Sequence, residues 1–373
     1  MVKQTLFFKQ QNIIKVANKL KTIAGDGDIT KYDECQKILE DALSIGRRVS
    51  NVTRPLQSID DDLSPDSTIS IPTGIDRLDE ILGGGLDKGK VGIIICPMGA
   101  GKTSLTTCFS ANAATTLNKY NNYKGFKVLQ IIFEDDESDI HRKYMSKITQ
   151  IESKDLRKNK ETIETVKGIL ETSEERHLIN DNIRIMELDT GEVSASDIEE
   201  LIKKITNQGF KPDMVVVDYF ECVKPENGTL KSDITEKEGT TMRKFEKIAK
   251  KLGIALWIPT QGNRTSINAE VNGNENVGGS IKKPQIAQVV LSIARTQDDL
   301  NNNRATISIN KNRTGKAGAA LNGIYFNNGT CTVKVENLIE FDTILAYNEY
   351  AQQEEEKRKM IQEAMKMTEH EDA

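Results

Sequence analysis

Gly92-Ile93-Ile94-Ile95-Cys96-Pro97-Met98-Gly99-Ala100-Gly101-Lys102-Thr103-Ser104 carries more structural information than any other part of this 373-residue chain. Residues 92–95 form a short apolar run of buried-strand length, a helical stretch starts near Ser104, and a glycine-rich turn joins the two. In that context the turn's backbone N–H groups curl around phosphates, and the helix N-terminus adds positive potential. Pro97, Met98, Gly99, Ala100, Gly101, Lys102, Thr103 and Ser104 are therefore the candidate set for binding ATP or another nucleoside triphosphate. Lys102 is expected to reach the β and γ phosphates, and the Thr103 hydroxyl to hold Mg2+. The general pattern begins with glycine where this chain has Cys96, a small residue that fits the turn.

Outward from this turn, the same kind of apolar run recurs at residues 128–133, 214–217, 255–258 and 289–293. Helical stripes separate the runs: Ile140, Tyr144, Ile148 and Ile151; Ile198, Leu201, Ile202 and Ile205; Met242, Phe245, Ile248, Ala249 and Leu252. Strand and helix in alternation predict an α/β fold, a mostly parallel sheet flanked by helices. Past residue 304, alternating residues and an Asn328-Gly329 turn predict antiparallel strands at the sheet edge. Before the main domain, residues 13–23 and 32–45 have helical spacing, and the proline- and turn-rich residues 49–70 read as a linker. The expected division is a helical N-terminal segment and linker at 1–70, an ATPase domain at 71–340, and a charged helix or tail at 341–373.

Apolar residues make up 37% of the chain, enough for one large core. No apolar run approaches the roughly 18 to 20 residues of a membrane helix. The N-terminus has no signal-peptide core, so the expected compartment is the cytoplasm. Five separated cysteines and three scattered histidines suggest reduced thiols and no zinc site. Residues 341–373 hold nine acids and four bases, which account for the whole net charge of -5. The body is balanced, so any nucleic-acid site must be local. Residues 264–318 are the candidate, with Arg264, Lys282 and Lys283 at their start and eight bases against four acids in all.

Residues that leave strands at one edge of the sheet are where ligands of open α/β folds bind. Asp218 ends a Met-Val-Val-Val run, the place for a carboxylate that holds magnesium beside the phosphate turn. Glu134 ends another run and is the candidate base for the attacking water, with Asp135 and Asp136 as rivals and helix capping as the alternative use of the cluster. Gln261 leaves a third strand and is positioned to sense the γ phosphate. Lys311 and Arg313, two apart on an extended segment, point the same way and could reach a neighbouring subunit's phosphates. A solvated sheet edge is the other reading of that pair.

These elements in this order resemble the DnaB-type replicative DNA helicases, RecA-like ATPases, over about residues 71–335. The resemblance rests on Ile71-Pro-Thr-Gly-Ile-Asp-Arg-Leu-Asp79, Gly83-Gly-Gly-Leu86, the phosphate turn, Phe133-Glu134, Asp155-Leu156-Arg157, Val217-Asp218-Tyr219, Gln261-Gly-Asn-Arg264, Gly279-Ser280-Ile281-Lys282 and Lys311-Asn-Arg313. It implies an ATP-driven homohexameric ring that translocates on single-stranded DNA and unwinds duplex. Glu134 would be the catalytic carboxylate, Thr103 and Asp218 the Mg2+ partners, Gln261 the sensor, and Lys311 with Arg313 the residues supplied in trans. DNA would meet the loops after Asp218 and around residues 272–283. Primase or a helicase loader is the implied protein partner, although about 70 residues are too few for the family's primase-recruiting domain. Residues 32–45 would serve as the linker helix, and so compact a motor suits a phage. A RecA-like recombinase and a regulatory ATPase share the phosphate turn and the magnesium aspartate and stay open as alternatives.

Overall fold

The computed structural model describes residues 68–226, 234–262 and 282–371, together with residues 14, 17–19 and 21–23. Contacts divide the chain into two units, Met1–Ser67 and Thr68–Ala373. In the first, the described residues are helical, within the stretch where spacing predicts a helix. The expected helix at 32–45 lies outside the described residues.

In the second unit, β1 (Ser70–Ile71) pairs with β2 (Leu86–Asp87) around α1 (Asp76–Leu82). There follow β3 (Val91–Cys96), α2 (Lys102–Thr115), β4 (Val128–Ile132), α3 (Glu137–Thr149), α4 (Lys160–Thr172), α5 (Glu174–Asn182), β5 (Ile183–Glu187) and α6 (Ala195–Asn207). The chain continues through β6 (Met214–Asp218), α7 (Ile234–Leu252), β7 (Ala255–Gln261), α8 (Lys282–Ile286), β8 (Val289–Ala294) and α9 (Gln297–Asn301). It ends with β9 (Arg304–Asn312), β10 (Ala320–Asn327), β11 (Thr332–Phe341) and α10 (Ile344–Glu371).

Nine of these strands form one sheet in the order β11-β10-β9-β8-β3-β7-β6-β4-β5. From β8 to β5 every pair is parallel, and β9, β10 and β11 add antiparallel at one edge. All five expected parallel strands are present, as is the antiparallel edge. Strands buried on both faces send alternate side chains into two cores. Val91, Ile93 and Ile95 of β3 pack with Ile198, Ile202, Phe245 and Ile248 of α6 and α7. Ile94 and Cys96 pack on the other face with Leu105, Cys108 and Phe109 of α2. Gly92 is required by its neighbour: a Cβ there would lie 2.3 Å from the ring of Trp257, the residue beside it in β7.

Five elements depart from the sequence expectation. β5 and the helices α4 and α5 have no counterpart in it. α3 stops at Thr149, with Gln150 in the left-handed region, so Ile151 lies beyond the helix that its spacing suggested. α10 is no free tail at its start, because Tyr347 and Ala351 are buried against Ala320 of β10, and Phe341 stacks edge-on to Tyr347 at 5.4 Å. Among the described residues, no helix is long and apolar enough to cross a membrane.

Candidate active site

β3 and α2 are joined by residues 97–101, which form the expected phosphate turn. Gly101 caps α2 at a φ of 101°, and a Cβ there would lie 2.2 Å from Asn328 Oδ1. No side chain caps α2, so the first N–H groups of a 14-residue helix are left for an anion. The turn is braced from behind by Arg295, at the end of β8. Its guanidinium donates to Ala100 O at 3.4 Å, Asn328 Oδ1 at 3.0 Å and Phe326 O at 2.9 Å. Ser104 Oγ donates to Asn328 O at 3.2 Å, tying the start of α2 to the β10–β11 turn. Cys96 is buried, and burial pushes its thiol up to about 12, so it stays a neutral packing residue.

Two strand ends converge beside this turn. Asp218 closes β6 and is 6% exposed. Burial pushes its carboxyl up to about 6, against hydrogen bonds from Thr103 and Thr106 and the Lys102 charge. Thr106 Oγ1 donates to Asp218 Oδ2 at 3.3 Å. Glu134 stands two residues beyond β4 and accepts from the Tyr219 hydroxyl at 2.8 Å. Lys102 Nζ lies 3.9 Å from the centroid of the Tyr219 ring. Burial and then the Glu134 bond push the Tyr219 hydroxyl well above the usual phenol range, so it remains a donor.

Lys102, Thr103, Glu134, Asp135, Asp218 and Tyr219, with Ile132 below them, line one cavity of about 50 Å³. A wider cavity of about 460 Å³ adjoins it, lined by Gly99, Gly101, Lys102, Thr103 and Ser104 on one side and by Lys143, Lys154, Asn328 and Gly329 among others. Of the acidic rivals, Asp135 shares both cavities, whereas Asp136 precedes α3 and makes no side-chain cap. The donor set fits magnesium with a nucleotide. Thr103 and Asp218 offer hard oxygens, and Mg2+ is commonly held by one or two carboxylates together with phosphate oxygens and water.

The other candidate residues lie apart from this cavity. Gln261 pairs with Cys96 at the same sheet edge, and its N–H donates to Glu221 Oε2 at 3.4 Å. Lys311 pairs with Val290 near the start of β8, at the opposite edge of the sheet. At ~3.3 Å per residue that is roughly 13 Å from the phosphate turn along the strands. Lys311 Nζ donates to Pro284 O at 2.9 Å and Gln285 O at 2.7 Å, and Arg313 Nη2 donates to Gln285 O at 3.0 Å. The two cations therefore point the same way, and burial followed by the Arg313 charge pulls Lys311 down to about 8.

Of the three DNA-contact candidates, Arg264 lies outside the described residues. Lys282 is half-buried at the start of α8, its stem against Gly239. Lys283 corrects the expectation of an exposed phosphate contact, because it is fully buried. Its ammonium donates to Glu221 Oε1 at 2.9 Å and Thr260 Oγ1 at 3.2 Å, lies 3.6 Å from Glu238, and sits over the Phe220 ring. Two carboxylates and an aromatic face hold it inside.

Sequence reasoning gave Tyr219 and Glu221 no role, and it read Arg295 only as one base of the candidate nucleic-acid segment and Asn328 only as a hairpin-turn residue. Arg295 was within reach of the strand-end rule that found Asp218, since it directly follows the apolar run of β8.

Two solved structures share this architecture. One, described as an ATPase domain, aligns with a TM-score of 0.62 at 16% identity, covering 75% of this chain and 97% of that one. The other, described as a DnaB-like replicative helicase and its interactions with primase, aligns with a TM-score of 0.68 at 16% identity, covering 88% of this chain and 77% of that one. A search of curated protein sequences gives no match. At that identity the structures speak for the fold, and the family is decided by sequence. The family described as the DnaB-like helicase C terminal domain matches residues 70–331, from β1 to the turn before β11 and through every strand that lines the cavity, and the chain belongs to that family of ATP-driven DNA helicases.

Proposed function

We propose that this chain is the motor subunit of a hexameric replicative helicase that moves along single-stranded DNA. The observation that carries the reading is the separation of two half-sites on one sheet. Lys102, Thr103, Glu134 and Asp218 meet at one edge, whereas Lys311 and Arg313 sit together at the other. Completing the first half-site with the second requires another copy of the chain.

In this reading the N–H groups of residues 99–104 and the Lys102 ammonium hold the β and γ phosphates of ATP. Thr103 and Asp218 would hold Mg2+, which when bound neutralises charge on the phosphates. Glu134 orients the attacking water and accepts its proton. Gln261, one hydrogen-bonded strand from the phosphate turn, senses whether the γ phosphate is present. Lys311 and Arg313 of a neighbouring copy neutralise the charge that builds on the transferred phosphoryl group. The loops after Asp218 and around residues 272–283, with Arg264 and Lys282, are the proposed contacts to the DNA backbone, made without base readout. Lys283 is left out of that set because its charge is already paired. A primase or a loader is the proposed protein partner, on the likeness to a helicase described with primase.

The test is strand displacement on a forked duplex with ATP, run beside ATP hydrolysis with and without single-stranded DNA. Unwinding by the wild type and none by Glu134→Gln is expected. Hydrolysis that ignores DNA would move the chain from helicase to regulatory ATPase.

A further inference from the structure

Tyr219 follows the metal-site candidate Asp218 and stands between two other groups of the same cavity. Its hydroxyl donates to Glu134 Oε1 at 2.8 Å, and Lys102 Nζ lies 3.9 Å from its ring centroid. Each contact occupies something that hydrolysis needs free. A carboxylate oxygen that already accepts from a phenol is a poorer acceptor for the proton of water. An ammonium held on an aromatic face is drawn away from the phosphates it would otherwise meet.

Resting on the reading of Glu134 as the carboxylate that activates water, we infer that Tyr219 is a positioning residue that restrains Glu134 and Lys102 together and keeps hydrolysis slow in the absence of DNA. When nucleotide arrives, Lys102 exchanges the ring for phosphates, which removes one contact. The other is released from the far side of the stretch that Tyr219 begins. Directly after the tyrosine, the backbone turns through Phe220–Cys222, and Glu221 accepts from Thr260 Oγ1 at 2.5 Å and from Lys283 Nζ at 2.9 Å. Lys283 directly follows Lys282, the proposed DNA contact at the start of α8. That contact is thus tied, through Lys283 and Glu221, to the short stretch of backbone that also carries the Tyr219 hydroxyl. DNA drawn onto Lys282 acts through this tie on the bond to Glu134.

Two substitutions separate the contacts in the full chain. Tyr219→Phe keeps the ring and removes the hydroxyl, whereas Tyr219→Leu removes both. Affinity is read with a fluorescent ATP analogue, and turnover is read with and without an oligo-dT strand. For Tyr219→Phe, unchanged affinity is expected, with DNA-free turnover raised about tenfold, the weight of one charged hydrogen bond. Turnover with DNA stays at the wild-type level, so the stimulation ratio falls by the same factor. Tyr219→Leu is expected to add a few-fold tighter nucleotide binding, roughly the weight of one cation–π contact. Wild-type affinity in Tyr219→Phe also shows that the variant is folded. DNA-free turnover that is unchanged or lower in Tyr219→Phe overturns the inference, and a fall with wild-type affinity would mean that the tyrosine orients Glu134 for attack instead. The underlying reading fails separately: normal hydrolysis by Glu134→Gln removes the catalytic carboxylate, whereas a dead Glu134→Gln beside an unaltered Tyr219→Phe overturns the restraint alone.

Discussion

Lys311 gives the candidate trans pair a pH signature. Burial and the neighbouring Arg313 charge bring its ammonium down to about 8, so it is charged at neutral pH and loses its charge as pH rises through 8. ATP turnover is expected to fall along an alkaline limb near that value. Lys311→Arg, whose guanidinium stays charged above pH ~12, should remove the limb. A limb that stays in place in that variant disconnects Lys311 from turnover. Arg313→Ala should bind nucleotide as the wild type does and lose about 10³-fold or more in hydrolysis, the usual weight of an arginine finger. Asp218 and Glu134 were legible as strand-end acids, and both line the cavity with Lys102 and Thr103. Tyr219 was not, since a tyrosine beside an acid reads as packing and its partner Glu134 is 85 positions away. Lys283 was misread for the same reason: the carboxylate that buries it, Glu221, is 62 positions away.

At the scale of elements, the Lys283 cluster joins the turn after β6 to the end of β7 and the start of α8. Removing one partner of a buried ion pair leaves the others uncompensated. Lys283→Met is therefore expected to cost about 3 to 5 kcal/mol, measured by denaturant unfolding. A cost near zero would mean that Glu221 and Glu238 are neutral or hydrated in its absence. The docking of α10 is weaker and local. Tyr347→Ala removes an aromatic ring from a small satellite core, worth about 2 kcal/mol, and should raise hydrogen exchange over residues 344–351 while leaving the main sheet protected. The parallel strands were legible because both of their faces are buried and their runs are unbroken. β5 escaped because it is an edge strand: Ile183 is buried, Arg184 next to it is exposed, and only β4 pairs with it. α4 escaped because a helix whose buried side amounts to Val166 leaves a faint stripe.

For the whole molecule, the two half-sites set what mixtures should do. Glu134→Gln and Arg313→Ala proteins are each expected to be inactive alone. Mixed, they should recover part of the hydrolysis, because a Glu134 site from one then meets an Arg313 from the other. No recovery after subunit exchange would count against cations supplied across an interface. In the proposed assembly the half-sites use different faces of the chain, so the contact between copies would be heterologous: each added subunit would satisfy one face and present another. An open row therefore always has a donor without a recipient at one end and a recipient without a donor at the other. Only closure into a ring leaves no terminal subunit. Specific activity per chain should accordingly step up on closure rather than climb smoothly with concentration, which makes the hydrolysis rate itself a reporter of whether the circle is complete.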